Sequence, residues 1–453
     1  MNLPAILRHA LHPPRRSPPR QAPAGLYLGW GTKGPVRARP DQHALVIGPP
    51  RSGKTSRLLA FAVLSHAGPA VVTSTKPDVL ALTASARRRL GRIWLWDPSG
   101  TTPVPQGAEE LRWSPLDGCE VWDQAVQRAH SIAAASRPNQ SAHDVHWVER
   151  AQALLAPLLH AAALVEGDLA GLLSWLHRRE LLVPISLLND KGSRRAANLL
   201  EGIAHTDSRE LSGIFSTADS LLAAYRTDAA LGAARFPNFD VEAFASSTDT
   251  IYICSPSTSQ ALHAPLVVCL LDQIRTAVYR AGYSPPMFFA LDEVAHIAPL
   301  PDLASTVAEG GSQGLVVMAC LQDLSQARGR WGPSADGFLT LFTHKLVLPG
   351  VADLTTLKAI SALAGEVDVT VRSTTVDRGR LPKHASTNWS LRRQPRMPVD
   401  VVARGRAGTA LLISATHLGQ VWLPPLPQAA ADRRDTSGAS PKVEAQSAAT
   451  WNA

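Results

Sequence analysis

The chain has 453 residues, of which 45% are apolar and 18% are charged, a balance typical of a globular protein with two or three domains. Lysine and arginine outnumber aspartate and glutamate by 45 to 37, and the resulting net charge of +8 suits a polyanionic partner without requiring one. The four cysteines form no C-x-x-C pair, which argues against a zinc site or a disulfide framework and favours a reducing cytoplasm.

The N-terminal region and the apolar runs give no sign of membrane insertion. No run approaches the roughly 18 consecutive apolar residues of a membrane-spanning helix, so we expect no transmembrane segment. Residues 1–24 are rich in proline and arginine, which predicts a disordered arm and not a secretory signal. The next segment, Gly25 to Trp30 with a turn at Thr32 to Pro35, predicts a short β-hairpin.

A phosphate-binding pattern follows at His43 to Thr55, where a short apolar run precedes G-x-x-x-x-G-K-T. The pattern predicts a strand, a loop whose N–H groups point inward, and a helix that opens at Lys54. We expect Lys54 to reach the β- and γ-phosphates of ATP and the Thr55 hydroxyl to ligate Mg²⁺. The predicted nucleotide-binding residues are Gly48, Pro49, Pro50, Arg51, Ser52, Gly53, Lys54, Thr55 and Ser56.

Strands and helices alternate on both sides of a long helical stretch. Apolar strands are predicted at Ala70 to Thr73 and Arg92 to Trp96, with a helix from Pro77 to Leu90 between them. This order is typical of an α/β fold with a mostly parallel sheet. From about Val121 to Phe239 the apolar residues recur with the helical period, so we predict an inserted all-α domain. Strands resume at Thr250 to Cys254.

Two carboxylates end the apolar strand that begins at Met287. Asp292 and Glu293 should lie at the C-terminal edge of the parallel sheet, where the phosphate loop must also lie. This is a Walker-B pattern, in which Asp292 holds Mg²⁺ through water and Glu293 polarises the attacking water. The alternative is that the two acids merely open a helix as caps.

The strand Leu315 to Leu321 ends on Gln322, an amide placed to sense the γ-phosphate and the lytic water. A structural amide that satisfies backbone groups at the strand end is the competing interpretation. The predicted catalytic set is therefore Glu293, Lys54 and Gln322, with Thr55 and Asp292 as the Mg²⁺ ligands.

A basic segment lies near the C-terminus, followed by a closing hairpin at Thr409 to Ile413 and Gln420 to Leu423. Its charges face only two acids, so it either contacts DNA or forms a solvated basic loop. Its nine basic residues are Arg372, Arg378, Arg380, Lys383, Arg392, Arg393, Arg396, Arg404 and Arg406.

The chain divides into five predicted regions. These are the disordered arm (1–24), the first part of the nucleotide domain (25–120), the all-α insertion (121–240), the second part of the nucleotide domain (241–426) and a disordered tail (427–453).

Several strings together resemble the type IV secretion coupling proteins, the conjugative-transfer ATPases of the TraG/TraD type. The strings D-E-x-A-x-I and Q-x-x-x-Q in succession are more specific than either Walker motif. In the order found in the family, the matching segments are Gly48 to Thr55, Val71 to Asp78, Trp96 to Pro98, Leu291 to Leu303 and Gly314 to Gln326.

The resemblance implies a RecA-like P-loop NTPase motor with an all-α insertion, working with ATP and Mg²⁺ as a ring, commonly a hexamer. Implied partners are DNA or a relaxase–DNA complex and secretion-channel or membrane-anchor proteins. The implied location is cytoplasmic, peripheral to the inner membrane. We therefore expect an ATP-driven motor that delivers DNA or nucleoprotein to a conjugative channel. The alternative is a slowly hydrolysing, nucleotide-gated adaptor that links substrate protein to the channel.

One departure concerns a finger arginine. Members of the family usually carry G-R-x-x-G before the glutamine strand, whereas this chain has Gly310-Gly311-Ser312-Gln313-Gly314. We expect Arg328 or Arg330, on a loop beyond that strand, to act on the neighbouring subunit's nucleotide instead. If neither acts, and Gly311→Arg raises turnover, the adaptor becomes the better interpretation. An unrelated P-loop kinase is disfavoured, because no acceptor-binding lid motif is present and Glu293 directly follows Asp292.

Overall fold

A computed structural model gives the fold of residues 25–136, 142–282, 285–376 and 385–426. The predicted arm (1–24) and tail (427–453) lie outside these described residues. The strands are β1 (Tyr27–Gly31), β2 (Gly34–Arg37), β3 (Ala44–Ile47), β4 (Ala70–Ser74), β5 (Ile93–Trp96), β6 (Glu109–Glu110), β7 (Thr250–Cys254), β8 (Met287–Leu291), β9 (Leu315–Leu321), β10 (His344–Val347), β11 (Glu366–Val376), β12 (Ala385–Pro395), β13 (Thr409–Ile413) and β14 (Leu418–Trp422).

Twelve of the strands in the described ranges form one sheet, in the order β2-β1-β14-β13-β10-β3-β9-β8-β4-β7-β5-β6. Every pairing from β10 through β3 to β6 is parallel. The strands β13, β14, β1 and β2 extend the sheet in antiparallel fashion. The predicted α/β fold with a mostly parallel sheet is confirmed.

The central strands are buried on both faces, which explains why they read as continuous apolar runs. All four residues of β3 and all seven of β9 are buried. Successive side chains of β3 enter opposite layers of the core, with Leu45 and Ile47 in one layer and Ala44 and Val46 in the other. The register of such buried strands is fixed, so the positions of the loops at their C-terminal ends are also fixed.

The helices cover both faces of the sheet and fill the stretch between β6 and β7. They are α1 (Ala60–Ser65), α2 (Asp78–Arg87), α3 (Trp122–Ser136), α4 (Ala142–Leu164), α5 (Leu169–Arg178), α6 (Leu182–Asp190), α7 (Arg194–Ala204), α8 (Ser208–Leu221), α9 (Asp228–Ala233), α10 (Val241–Ala245), α11 (Gln260–Ala281), α12 (Leu303–Glu309), α13 (Leu324–Trp331), α14 (Phe338–Leu341), α15 (Leu354–Ala364) and α16 (Val399–Arg404).

Helix α5 shows how the sequence sets these helices. The Asp168 side chain caps its start by accepting the N–H of Gly171 at 2.9 Å. The apolar face of Leu169, Leu172 and Leu176 is buried, and the helix ends where Arg179 adopts a left-handed φ of 56°. The spacing of the leucines, the N-cap residue and the left-handed residue at the C-terminus therefore all predict the same bounds for α5.

The two ends of the helical segment between β6 and β7 are hydrogen-bonded to each other. Asn238 accepts the N–H of Arg112 at 2.9 Å and donates its side-chain amide to the carbonyl of Glu110 at 2.9 Å. The N–H of Trp113 donates to the carbonyl of Ala233 at 3.0 Å. The chain that enters the segment is thus hydrogen-bonded to the chain that leaves it.

Helix α11 packs directly under the sheet. Within the described ranges, it is the one helix that is long and apolar enough to cross a membrane, by length and composition alone. Its apolar window is 72% buried inside the protein, and it packs against α3 and α10.

The basic segment differs from the predicted loop. Its described part contains β11 and β12, which pair along their whole length as a separate antiparallel hairpin. The sequence carried a signal for β11, because Val367, Val369 and Val371 alternate with polar residues. Arg378, Arg380 and Lys383 lie outside the described residues. The two-residue strand β6 was also missed, because it is too short to show a period.

Candidate active site

The loop after β3 is tied to the two neighbouring strands. The N–H of Gly48 donates to the carbonyl of Leu321 at 3.1 Å, and the N–H of Leu348 donates to the carbonyl of Ile47 at 2.8 Å. A Cβ on Gly48 would approach Leu348 Cβ and Ser52 Oγ to 2.9 Å, so only glycine fits. Gly53 closes the loop with a φ of 97°, in the left-handed region that favours glycine.

The Lys54 side chain is buried and already lies inside the loop. Its Nζ donates to the carbonyl of Gly48 at 2.7 Å and lies 3.8 Å from Glu293 Oε1. Only 5% of the side chain is exposed. The fold therefore holds the Lys54 cation within the phosphate loop and next to Glu293.

Thr55 and Asp292 meet across the ends of β3 and β8. Thr55 Oγ1 donates to Asp292 Oδ2 at 2.7 Å, and the other carboxylate oxygen accepts the N–H of Glu293 at 3.1 Å. Thr73, at the end of β4, donates its hydroxyl to the backbone carbonyl of Asp292 at 2.9 Å. Residues at the ends of three parallel strands of one sheet, β3, β8 and β4, therefore fix one hydroxyl–carboxylate pair.

Burial dominates the electrostatics of Asp292. Desolvation raises the pKa of this carboxyl, while the hydrogen bond from Thr55 and the nearby Lys54 cation partly oppose the rise. A divalent cation at this carboxylate would favour its ionised form. A hydroxyl and a carboxylate in contact are the oxygen donors that Mg²⁺ prefers.

Glu293 stands in a backbone conformation that is uncommon for a non-glycine residue. Its φ is 48°, in the left-handed region. The turn is held because the N–H groups of His296 and Ile297 donate to the carbonyl of Glu293 at 2.9 and 3.0 Å. The side chain is 18% exposed and faces Lys54. Local strain of this kind is often found where a side chain is aimed at a reacting group.

Gln322 lies just beyond β9, between the ends of β3 and β8 in the sheet. Its N–H donates to Gln326 Oε1 at 2.9 Å. The Gln322 side chain is partly buried, and it has no hydrogen-bond partner within the described part of the chain. The amide group lies near the ends of β3 and β8, where both interpretations place it.

The loop also holds an unsatisfied polar atom. Ser52 Oγ is buried and has no hydrogen-bond partner among the residues that the structure describes. Pro50, Arg51 and Ser56 are exposed, and Pro49 is partly buried. A phosphate group would satisfy the Ser52 hydroxyl and the free N–H groups of the loop. Together with Lys54, Thr55 and Asp292, which lie nearby, the loop fits a nucleotide with its Mg²⁺.

Arg328 and Arg330 do not lie on a loop as predicted. Helix α13 begins almost directly after β9, because Asp323 caps it by accepting the N–H groups of Ser325 and Gln326. Arg330 turns inward and donates to the carbonyl of Ala135 at 2.6 Å, and its burial lowers the pKa of the guanidinium.

Arg328 is more exposed than Arg330. Its side chain is 34% exposed and lies 3.4 Å from Asp353, in a contact that is long for an arginine–carboxylate pair. Of the two arginines, Arg328 is therefore the one whose geometry allows it to reach beyond its own chain.

Gly311 has no space for a side chain. A Cβ there would approach the backbone carbonyl oxygen of Asp41 to 2.0 Å. Gly311→Arg would have to displace the backbone before β3, so this change cannot test a missing finger arginine without disturbing the fold. The sequence could not reveal the contact, because Asp41 and Gly311 are far apart in the chain.

The sequence assigned no role to three residues that support the site, although Gln326 is the second glutamine of the Q-x-x-x-Q string. Thr73 fixes the main chain of Asp292, and its place at the end of an apolar strand was the available signal. Gln326 and His296 contact each other at 3.2 Å beside the strand ends. Each lies three or four residues after a predicted catalytic residue, a spacing that by itself predicts no contact.

Comparisons with known proteins agree with these features. The family model described as "Type IV secretory system Conjugative DNA transfer" matches residues 13–413. A conjugal transfer protein TraG of Escherichia coli is 26% identical over 356 residues, which are 70% of this chain and 54% of TraG. A second TraG of Escherichia coli is 23% identical over 387 residues, 76% of this chain and 59% of that protein. The chain thus spans somewhat more than half the length of these curated relatives.

Solved structures show the same fold. The bacterial conjugative coupling protein TrwBdeltaN70, unbound, has a TM-score of 0.67 at 18% identity and covers 89% of this chain and 90% of its own. TrwB in complex with ADP and Mg²⁺ has a TM-score of 0.66 at 18% identity, with 90% of both chains covered. VirB4 of Thermoanaerobacter pseudethanolicus has a TM-score of 0.51 at 11% identity, covering 90% of this chain and 98% of its own.

These likenesses confirm the predicted RecA-like P-loop fold. The family model also extends over most of the chain and includes both the loop at Gly48 and the acids at Asp292. The chain therefore belongs to the type IV secretory system conjugative DNA transfer family, the coupling proteins of the TraG/TraD type.

Proposed function

We propose that the protein is an ATP-driven coupling protein that binds DNA or a relaxase–DNA complex and delivers it to a conjugative secretion channel. The observation that carries the proposal is the convergence of Lys54, Thr55, Asp292 and Glu293 at the C-terminal edge of one parallel sheet. The related TrwB binds ADP with Mg²⁺ and non-hydrolysable analogues of ATP and GTP, which supports ATP and Mg²⁺ as the ligands here.

Each residue has a role that follows from its position. Pro49 and Pro50 have no N–H, and the N–H groups of Gly48 and Ser52 donate to the carbonyls of Leu321 and Pro49. The N–H groups of Arg51, Gly53, Lys54 and Thr55 would therefore bind the phosphates, and the buried Lys54 side chain would place its charge on the β- and γ-groups. Thr55 and Asp292 would hold Mg²⁺, which supplies neutralisation of the charge that develops during phosphoryl transfer. Glu293 would orient the attacking water, and Gln322 would contact the γ-phosphate or that water.

We further propose that several copies of the chain work together as a ring, a hexamer as in the family. Arg328 is the candidate finger arginine, because it is partly exposed and only weakly paired, whereas Arg330 is bound to its own chain. The partners would be secretion-channel or membrane-anchor proteins at the cytoplasmic face of the inner membrane. The five-region division of the chain also remains our proposal.

The proposal is tested by measuring ATP turnover with single-stranded DNA, double-stranded DNA and no DNA, over a range of protein concentrations. We expect DNA to raise turnover, and turnover per molecule to rise with protein concentration, because the finger arginine comes from a neighbouring copy. Tight ATP binding without turnover would favour the adaptor. Turnover that depends on neither DNA nor concentration would contradict the ring motor.

The β11–β12 hairpin gives a separate prediction for DNA binding. Arg392, Arg393 and Arg396 are exposed, and Arg393 is paired with Glu366 at 2.7 Å. If all three meet phosphates, changing them to glutamine should weaken binding equally for all DNA sequences. The slope of log affinity against log salt should flatten by about two to three units.

A matched control for the hairpin changes three other exposed arginines, Arg194, Arg195 and Arg209 on α7 and α8. This triple variant has the same net charge as the hairpin variant. It should keep the parent salt slope, which fluorescence anisotropy with a labelled oligonucleotide measures. Equal slopes in the hairpin variant and the parent would show that Arg392, Arg393 and Arg396 do not contact DNA phosphates.

A further inference from the structure

We infer that Gln326 is a positioning residue, which fixes the main chain of Gln322 and joins it to the turn that carries Glu293. The inference rests on the proposed function and deepens it. It concerns the chain's own residues just beyond the last paired residues of β8 and β9, where one main-chain hydrogen bond, from the N–H of Val294 to the carbonyl of Cys320 at 3.2 Å, still joins the two strand ends. Leu291 and Ala319 are still paired, whereas Glu293 and Gln322 both lie past the last paired residues of β8 and β9.

The first observation is that Gln326 departs from ordinary helix capping. Asp323 is the N-cap of α13 and accepts the N–H of Gln326 at 3.3 Å. In a capping box the third helical residue would return its side chain to the N–H of the N-cap residue. Gln326 instead accepts the N–H of Gln322, one residue earlier, at 2.9 Å. Its side chain therefore holds the candidate catalytic residue and not the start of the helix.

The second observation is the direction of the Gln326 amide. Because Oε1 accepts from Gln322, the Nε2 group faces His296 Nε2 at 3.2 Å and must donate to it. The N–H of His296 in turn donates to the carbonyl of Glu293 at 2.9 Å. A continuous path of hydrogen bonds thus connects the main chain of Glu293 to the main chain of Gln322.

The path has no evident packing role. The His296 side chain is exposed and Gln326 is only partly buried, so neither residue belongs to the apolar core. The path connects the two groups that are expected to contact the lytic water from different strands. Phosphoryl transfer depends mainly on such positioning, because the protein does little covalent chemistry.

The test compares Gln326→Ala, His296→Ala and a control, Ser325→Ala, which loses only a hydroxyl bonded to Asp323. Gln326→Ala should lower kcat/KM about tenfold, as expected for one lost hydrogen bond at a positioning group. His296→Ala should lower kcat/KM less, because Gln326 keeps its contact with Gln322. Ser325→Ala should match the parent.

Two further measurements separate positioning from a merely structural role. The affinity for a non-hydrolysable ATP analogue should fall in Gln326→Ala while the affinity for ADP stays unchanged, because only the γ-phosphate region is disturbed. If Gln326 acts through Gln322, the double variant Gln322→Ala/Gln326→Ala should be no slower than Gln322→Ala alone.

Several results would overturn the inference. Additive losses in the double variant, an equal loss of ADP affinity, or the same loss of activity in Ser325→Ala would each assign Gln326 to general helix stability. If the parent protein does not turn over ATP, the proposed function fails. The comparison of ATP-analogue and ADP affinities in Gln326→Ala would still decide whether Gln326 positions the γ-phosphate region.

Discussion

Lys54→Ala is expected to abolish nucleotide binding at micromolar concentrations. The ammonium group is 5% exposed and is held by the Gly48 carbonyl within the loop, so it is pre-positioned for the β- and γ-phosphates. Removing a buried, hydrogen-bonded charge from its partner costs on the order of 3 kcal/mol or more, which corresponds to at least about a hundredfold in affinity. Calorimetric titration with ATP and Mg²⁺ measures the loss.

Two controls make the Lys54 result specific. Lys358→Ala removes an exposed lysine on α15 and should bind ATP like the parent. The melting temperature of Lys54→Ala without nucleotide should stay close to that of the parent. An ATP affinity that survives in a folded Lys54→Ala protein would exclude a nucleotide site in this loop.

Glu293→Gln is expected to separate binding from turnover. The amide has nearly the same shape as the carboxylate, and the Mg²⁺ candidates Thr55 and Asp292 are untouched. ATP affinity should be equal or slightly tighter, because a negative charge 3.8 Å from Lys54 is removed. Turnover should fall by about 10²- to 10⁴-fold, the range for loss of a group that activates water.

A phosphate-release assay at saturating ATP measures this effect, with Glu309→Gln, an exposed carboxylate on α12, as the matched control. We expect Glu309→Gln to hydrolyse at the parent rate. A Glu293→Gln protein that hydrolyses at the parent rate would remove Glu293 from catalysis. A Glu293→Gln protein that fails to bind ATP would assign Glu293 a role in holding Lys54.

The sequence predicted the strands that carry the site because their formation depends on the residues of a short segment and not on distant contacts. The strands β7 and β9 begin and end at the predicted residues, since each is a largely apolar run bounded by polar residues or glycine. The loop and the acids after β8 follow from motifs whose spacing is fixed by phosphate and magnesium chemistry. These features need no knowledge of distant parts of the chain.

What the sequence could not predict depends on contacts between distant segments. The Thr55–Asp292 hydrogen bond joins residues 237 positions apart, and the clash at Gly311 involves the backbone of Asp41. The strand order places β9 between β3 and β8 although it follows both in the chain. In the basic segment, the alternation of valines with polar residues in β11 favours a strand, but the high density of positive charge led to the prediction of DNA contact or a solvated loop. Such features are decided by tertiary packing, which overrides local pattern.

The hydrogen bonds of Asn238 with Glu110 and Arg112, which close the base of the inserted helices, have a consequence for how this family can diversify. The segment that leads into the inserted helices and the segment that follows them are hydrogen-bonded to each other. The inserted helices therefore form a loop whose ends are already held together. Lengthening a closed loop is inexpensive, since each doubling of its length costs only about 0.6 kcal/mol in closure entropy. Helices far from the sheet can therefore be gained, lost or replaced during evolution, while the geometry that holds Lys54, Asp292 and Glu293 stays constant.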